Sequence, residues 1–199
     1  TSIDIYLKKE YYDDFSFDFG WSSISTAERG DWVRVVPIPE YDSFAEAYES
    51  PETDVTFDCG DYAYMTGNGA LTNTDVKDGV VTLISPVFDL TDYSNPYLSV
   101  ETFFFNFHGF DPPNDSLKLF LSNGNTVEMI AAVTANDSIG VWRNKTFRVE
   151  DVMTPTAFMQ LSVVTSDFVD TENTTKGGID RFHITDGNPA SVEEIVEGV

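Results

Sequence analysis

Short strand-like runs separated by turn clusters are the feature of this sequence that most constrains its fold. β-branched and aromatic residues recur in short segments bounded by Gly, Pro, Asn and Asp, while the periodicity of helices is nearly absent. One chain of 199 residues suits a single all-β domain with one core. We therefore expect an all-β fold of two stacked antiparallel sheets. The predicted strands span residues 3–7, 31–36, 62–66, 80–88, 98–107, 117–122, 128–133, 144–149, 157–165 and 179–185.

Two of these runs also predict which way their side chains face. LKLFLS alternates so that Leu117, Leu119 and Leu121 share one face, as in a strand with one buried and one solvated side. LSVETFFFNF is apolar on both faces, with Phe103 on one side and Phe104 on the other. We expect this second run to be the central strand of its sheet, with its aromatic rings in the core.

The charge balance excludes two classes of partner. The 34 acidic and 11 basic residues give a net charge of −23, which repels nucleic acid and anionic membranes. No apolar run is long enough for a membrane-spanning helix, so we expect no membrane insertion. Cys59 is the only cysteine, which excludes an internal disulfide and a cysteine-based zinc cluster.

Catalytic motifs are absent from the sequence. It contains no GxSxG, HExxH or GxxxxGK[ST] motif, and the TGNGAL segment at 66–71 reads as a turn. His108 and His183 each lie in an apolar strand, where a half-buried sheet residue is the simplest interpretation. We predict that the chain is not an enzyme, although a glycosidase-type pair of carboxylates leaves no sequence signature.

The segment between Val35 and Val76 is acidic throughout. It holds no Lys or Arg, and its acids include Glu40, Asp42, Glu46, Glu49, Glu52, Asp54, Asp58 and Asp61. We interpret it as a solvated surface loop, with a cation-binding or recognition loop as the alternative. FAEAYES within it predicts one or two helical turns.

Oxygen-rich turns at the entrances of strands predict a metal site. The candidate ligands are Asp75, Asp78, Asp115 and Asp180. Several carboxylates brought together repel one another unless a cation or protons neutralise them. We predict one structural calcium ion, because calcium accepts oxygen ligands in flexible geometry whereas magnesium keeps its waters. Zinc is disfavoured because the two histidines belong to separate strands.

The order of several segments resembles that of a known family. FSFDFGW, GDYAYMTGNG, VVTLISPVFDL, PYLSVETFFFNF and GGIDRFHI are similar to segments of the MAM domain and its bacterial MAM-like relatives, over residues 13–185. The resemblance implies a concanavalin-type jelly roll, often with a structural calcium, found beside secreted peptidases. The paired cysteines of animal MAM domains are missing, which favours the bacterial branch. Ser16 replaces an early acidic residue, for which Asp14 or Asp18 can substitute, and only Asp180 remains of a late Asp pair.

Together these features predict a domain order and a function. We expect a strand or linker from a preceding domain at 1–12, the jelly roll at 13–186 and a linker at 187–199. The expected function is a non-catalytic accessory binding or adhesion module of a secreted or cell-surface bacterial protein. Its partners would be a protein or glycan ligand and the neighbouring domains of a longer chain. The alternatives are a structural spacer beside a catalytic domain and a carbohydrate-binding module.

The three tryptophans bear on the carbohydrate alternative. Binding sugars through tryptophan requires exposed rings grouped on one face of a sheet. Trp21, Trp32 and Trp142 therefore distinguish the carbohydrate-binding module from the spacer, and we expect Trp21 and Trp142 to pack within the protein instead.

Overall fold

The structure is a computed structural model that describes residues 9–69, 74–107, 112–137, 139–168 and 173–189. Within these ranges every long element is a β-strand, and a single turn of 3-10 helix at Val149–Asp151 is the helical part. The strands are β1 Glu10–Asp13, β2 Ser22–Ser25, β3 Trp32–Val35, β4 Glu40–Asp42, β5 Ala47–Ser50, β6 Ala63–Thr66, β7 Gly79–Ile84, β8 Pro96–Phe107, β9 Leu117–Ser122, β10 Val127–Val133, β11 Arg143–Arg148, β12 Gln160–Asp167 and β13 Thr174–Asp186.

Two antiparallel sheets pack face to face and confirm the predicted fold class. The six-stranded sheet has the order β11-β8-β13-β6-β3, and β1 also pairs with β13. The five-stranded sheet has the order β10-β9-β12-β7-β2. From β6 onward the chain crosses between the sheets at almost every connection, which is the jelly-roll form of a β-sandwich.

The central position predicted for LSVETFFFNF is confirmed. This segment lies in β8, which pairs with β13 on one side and with β11 on the other. Phe104 is fully buried in the core between the sheets. Phe103 and Phe105 point to the opposite face, where they form a second buried cluster with Ala63 and Met65.

In the five-stranded sheet the predicted alternation also holds. Leu117, Leu119 and Leu121 of β9 are completely buried, while Lys118 is exposed and Phe120 is half-buried on the other side. The neighbouring strands repeat this alternation, because antiparallel pairing keeps facing residues on the same side of the sheet. One face of the sheet therefore supplies core, and the other faces outward.

The helical turns predicted for FAEAYES are wrong. The segment forms the turn and second strand of a two-stranded hairpin, β4–β5. Lys176 in β13 is 2% exposed and pairs with Glu40 at 2.5 Å and with Glu49 at 3.5 Å. A buried ammonium group is costly without partners, and the extended hairpin brings one carboxylate from each strand to it. This long-range ion pair overrides the local helical preference of the segment.

The chain ends of the predicted domain order lie partly outside the described residues. The predicted strand at 3–7, most of the linker at 1–12 and the residues from 190 onward fall there. Within the described part, Glu10–Asp13 pair with Phe182–Thr185 of β13, so this segment belongs to the six-stranded sheet. No helix in the described ranges is long and apolar enough to cross a bilayer.

Truncating Phe104 tests the central role of β8. We expect Phe104→Ala to lower the free energy of unfolding by about 3–5 kcal/mol, because the ring is completely buried and leaves a cavity. Phe158→Ala is the matched control, since this ring is 68% exposed and its loss is worth within about 0.5 kcal/mol. Urea unfolding measures both, and equal losses would contradict the described core.

Candidate metal centre

Three carboxylates converge beside β13 of the six-stranded sheet. Asp54, Asp58 and Asp180 each offer an oxygen atom, and these atoms all lie within 4.8 Å of one another. Asp180 is completely buried, Asp54 is 8% exposed and Asp58 is half-buried. Over the described ranges this is the one group of three or more acidic, His or Cys residues with that spacing.

A β-bulge in β13 positions Asp180. The register between β13 and β8 shifts between Asp180 and His183, and Arg181 adopts a left-handed φ of 46°. Ile179 and Phe182 both face the core, so two residues instead of one lie between successive inward side chains. Without the bulge Phe182 would point away from the core. The bulge therefore keeps the core continuous and leaves Asp180 directed toward the segment that carries Asp54 and Asp58.

Backbone amides hold the Asp180 carboxylate in place. Its Oδ2 accepts a hydrogen bond from the Val55 amide at 3.0 Å, and its Oδ1 accepts one from the Arg181 amide at 2.6 Å. Val55 itself is buried, which anchors the segment between β5 and β6 against β13. Asp54 and Asp58 lie one and three positions from Val55, and the hydrogen bond thereby brings both beside Asp180.

Several oxygen atoms of the group have no hydrogen-bond partner of ordinary geometry. They are Asp54 Oδ2 and both carboxylate oxygens of Asp58, all of which are inaccessible to solvent. Buried polar atoms in folded proteins nearly always have a partner, and for carboxylate oxygens a cation or a proton can fill that role. The Gly60 amide contributes a weak interaction that lowers the pKa of Asp58. These atoms lie on the side chains that already face Asp180.

Burial makes the charged forms of all three residues unfavourable. Burial, with a smaller contribution from the Asp58 charge, raises the pKa of Asp180 to about 8. Burial and the charges of Asp58, Asp61 and Asp14 raise the pKa of Asp54 to about 6. Burial also raises the pKa of Asp58. A cation or protons must therefore neutralise the group.

The nearby basic side chain does not supply that neutralisation alone. Arg181 lowers the pKa of Asp58 but forms its ion pair with Glu101, at 3.4 Å. Every donor atom in the group is a carboxylate oxygen, which suits a hard cation. Zinc favours His and Cys ligands, and the adjacent Cys59 is exposed rather than directed into the group.

The structure does not bring the four predicted ligands together. Asp180 belongs to the group described above, whereas Asp75 pairs with Arg29 at 3.1 Å. Asp115 accepts hydrogen bonds from Asn106 and from Thr175 of β13. Thr175 precedes Asp180 by five positions, a separation of about 17 Å along a strand. β13 begins at Thr174, so Asp180 lies within this strand and not at its entrance, which is where Asp115 and Val76, the residue after Asp75, contact Thr175.

The remaining predicted ligand, Asp78, lies in the turn before β7. It adopts a left-handed φ of 52°, a backbone conformation that Asp tolerates better than most residues. Its side chain is not part of the three-carboxylate group. Asn73, in the same predicted turn, lies outside the described residues.

Asp54 and Asp58 were missed as members of the carboxylate group, although the sequence carries a signal for them. Both lie in the acidic segment that has no Lys or Arg, for which a cation-binding loop was the alternative interpretation. Asp14, suggested as a substitute for the early acidic residue of the family, lies close enough to raise the pKa of both side chains. The identity of the third partner, Asp180, depends on the bulge and leaves no local signature.

The three tryptophans pack within the protein, as predicted for Trp21 and Trp142. Trp21 is 7% exposed and Trp32 is 4% exposed, and both lie in the core. Trp142 contacts Phe103 and donates a hydrogen bond to the Thr53 carbonyl oxygen at 3.0 Å. No exposed tryptophan platform is therefore available for stacking on a sugar.

His183 is not part of the carboxylate group. His183 is a half-buried residue of β13 that lies 3.2 Å from a Glu10 carboxylate oxygen. His108 lies outside the described residues.

Comparison with known proteins identifies the fold and no family. No protein-family model and no curated protein sequence matches the chain. The K1 cleaved adhesin domain of Lys-gingipain from Porphyromonas gingivalis W83 is 15% identical, with TM-score 0.51 over 90% of this chain and 99% of that chain. The K3 cleaved adhesin domain of the same protein is 14% identical, with TM-score 0.50 over 89% and 98%.

A third match is the module TmCBM61 in complex with beta-1,4-galactotriose. It is 12% identical, with TM-score 0.49 over 86% of this chain and 92% of that chain. At such identities the adhesin domains share the β-sandwich fold with this chain. None of these three matches is to a MAM domain, so membership of that family stays a prediction.

The raised pKa values predict how stability depends on pH when no metal is present. The folded state binds the Asp180 proton more tightly than the unfolded state, so its stabilising effect is present at low pH and is lost as the pH rises toward about 8. In excess chelator we expect the free energy of unfolding to fall between pH 5 and pH 8, by at most about 1.4 kcal/mol per pH unit for this group.

Urea unfolding of two variants separates this effect from the other titrating groups. Asp180→Asn is expected to flatten the dependence, because the amide does not titrate. Asp78→Asn is the matched control and keeps the wild-type slope, since Asn is well tolerated at its left-handed φ. The same slope in all three proteins would show that Asp180 is not the titrating group.

Proposed function

We propose that this chain is a non-catalytic accessory binding module of a secreted or cell-surface protein, stabilised by one calcium ion. The β-sandwich fold that it shares with the adhesin domains of Lys-gingipain supports the class of module. The observation that carries the binding role is the outer face of the five-stranded sheet. The calcium ion is supported by the carboxylate group at Asp180.

The outer face of the five-stranded sheet is accessible across its whole width. The register of the sheet places on it side chains that are half-buried or exposed, and in β7, β9 and β12 the residues that alternate with them are buried. We call this surface the open face. It consists of Ser22, Ile24, Val80, Thr82, Ile84, Lys118, Phe120, Ser122, Val127, Met129, Ala132, Gln160, Ser162, Val164 and Ser166.

The open face holds no carboxylate, although the chain has 34 acidic residues. Its side chains are aliphatic, hydroxyl-bearing or amide-bearing, with Phe120 near the centre and Lys118 as the single charge. Such a face suits a ligand without charge, because no carboxylate has to be desolvated on contact. A neutral glycan chain is one class of such ligand. The face also lacks the pair of acids that glycoside hydrolysis requires. Both features favour binding over catalysis.

Calcium suits the carboxylate group for electrostatic and geometric reasons. Three carboxylates supply up to six oxygen ligands, and backbone carbonyls or waters can complete a shell of six to eight. A divalent cation at this position would offset the cost of burying these charges, which raises the three pKa values, and would also offset their repulsion. The ion would link the segment between β5 and β6 to the centre of β13, and so would act structurally.

Thermal unfolding tests the calcium ion. Calcium at about a hundredfold excess over its Kd stabilises a folded protein by about 2.7 kcal/mol, which raises Tm by about 5–10 °C for a domain of this size. We expect this rise relative to chelator in the wild type, a smaller rise with magnesium, and none in Asp54→Asn/Asp180→Asn.

The control for this experiment is Asp75→Asn/Asp78→Asn, which alters the two acids predicted from sequence in the turn before β7. This variant should keep the full calcium response, even though loss of the Arg29 pair shifts its starting Tm. The response should also be larger at pH 8 than at pH 5, because protons compete with calcium for Asp180 and Asp54. Equal Tm values with calcium and with chelator would contradict the proposal.

Affinity electrophoresis on neutral polysaccharides tests the open face. We expect retardation of the wild type by at least one of xylan, galactan and mixed-linked β-glucan. A carboxylate placed in the centre of the face, in Ser162→Glu or Thr82→Glu, should weaken binding about tenfold because it must be desolvated. Asn125→Asp, in the exposed turn before β10, adds the same charge elsewhere and should leave binding unchanged. Failure of the wild type to bind any of the three would favour the structural spacer.

A further inference from the structure

A second surface, beside the carboxylate group, carries exposed phenylalanine side chains. Phe17 is 71% exposed, Phe19 is 51% exposed and Phe57 is 84% exposed. We call these three residues the phenylalanine patch. Single exposed apolar residues are ordinary on protein surfaces, whereas grouped ones mark contact sites.

The segments that carry the patch pack against each other. A Cβ atom at Gly60 would lie 2.4 Å from Ser16 Oγ and 3.4 Å from the Asp14 carbonyl oxygen, so the backbone around Gly60 lies directly on residues 14–16. Phe17 directly follows Ser16, and Phe57 precedes Gly60 by three positions. The ring centroids of Phe17 and Phe19 are 6.3 Å apart. Phe17 and Phe19 therefore form a pair, and the segment that carries Phe57 packs against their segment.

Specific hydrogen bonds hold this region in a defined conformation. Arg34 donates hydrogen bonds at 2.6 Å to the carbonyl oxygens of Phe15 and Ser16, and its guanidinium lies over the Tyr62 ring at 4.1 Å. Asp14 accepts a hydrogen bond from the Ser16 amide at 3.0 Å. Exposure of the phenylalanine rings is thus built into an ordered segment, which lowers the entropy lost when a partner binds.

The charges around the patch are predominantly negative. Asp14, Asp18 and Asp61 lie on the same two segments, and Asp18 and Asp61 are exposed. The basic group within the region, Arg34, is already engaged by two carbonyl oxygens and the Tyr62 ring. A partner that carries positive charge beside apolar side chains would complement both features of the surface.

We propose that the phenylalanine patch docks a polypeptide segment in which Lys or Arg alternates with apolar residues. This inference rests on the proposed role as a binding module and assigns it a second contact surface, separate from the open face. A second copy of the chain is disfavoured as the partner, because each copy carries a net charge of −23. Anionic lipid is disfavoured for the same reason. Glycans are disfavoured here because phenylalanine rings offer no hydrogen-bonding group to sugar hydroxyls.

Peptide binding measured by fluorescence anisotropy tests the proposal. The probes are labelled synthetic peptides of alternating Lys and Leu, and matched peptides in which Glu replaces Lys. We expect the basic peptides to bind the wild type and the acidic ones not to bind. Phe17→Ser/Phe57→Ser should weaken binding at least tenfold, and added salt should weaken binding to the wild type. Phe158→Ser, which alters an exposed ring elsewhere, should leave binding unchanged.

Two further measurements make each outcome decisive. Thermal unfolding of every variant shows that loss of binding does not reflect loss of the fold. Ser162→Glu separates this surface from the open face and should leave peptide binding intact. Absence of peptide binding, equal binding of acidic and basic peptides, or equal loss in Phe158→Ser would each overturn the proposal. None of these results bears on the proposed binding of polysaccharide to the open face, which has its own test.

Discussion

The pairing of β8 with β13 is the interaction on which the rest of the structure depends. The two strands are the longest in the described chain, and their register runs from Thr174 opposite Phe107 to Asp186 opposite Pro96. β11 attaches to the free edge of β8, while β6 and β1 share the free edge of β13. One face of the pair forms the sandwich core and the other supports the β4–β5 hairpin. The bulge after Asp180 lets β13 keep both Ile179 and Phe182 in the sandwich core while Asp180 faces the other side.

The acidic residues are placed in two ways and are kept away from one surface. Some carboxylates neutralise buried cations, as Glu40 and Glu49 do for Lys176. Others converge at Asp180, where burial and mutual repulsion leave the charged forms unfavourable until a cation or protons arrive. The open face is free of them. A chain with a net charge of −23 therefore keeps one broad surface without carboxylates. Its acidic and carboxylate-free regions are chemically different surfaces.

Most of the strands could be predicted because their signal is local. The runs that became β3, β6 to β12 and most of β13 have β-branched or aromatic alternation, and the alternation assigned Leu117 and Phe104 to the core correctly. The strands β1, β2, β4 and β5 were missed because each is short and rich in polar residues. They are strands because a partner edge satisfies their backbone groups, as β13 does for β1.

By itself, the sequence determined the class of fold, the central position of β8 and the expectation that acidic side chains need a cation. Those properties follow from side-chain period, apolar content and total charge, all of which act at short range or as sums over the chain. The tertiary structure alone decided which carboxylates meet. Asp54 and Asp180 are 126 positions apart in the numbering of the chain, and their meeting depends on the bulge and on the Val55 hydrogen bond. Topology and register decide which distant segments lie beside each other. The local sequence around Asp54 or Asp180 encodes neither of them.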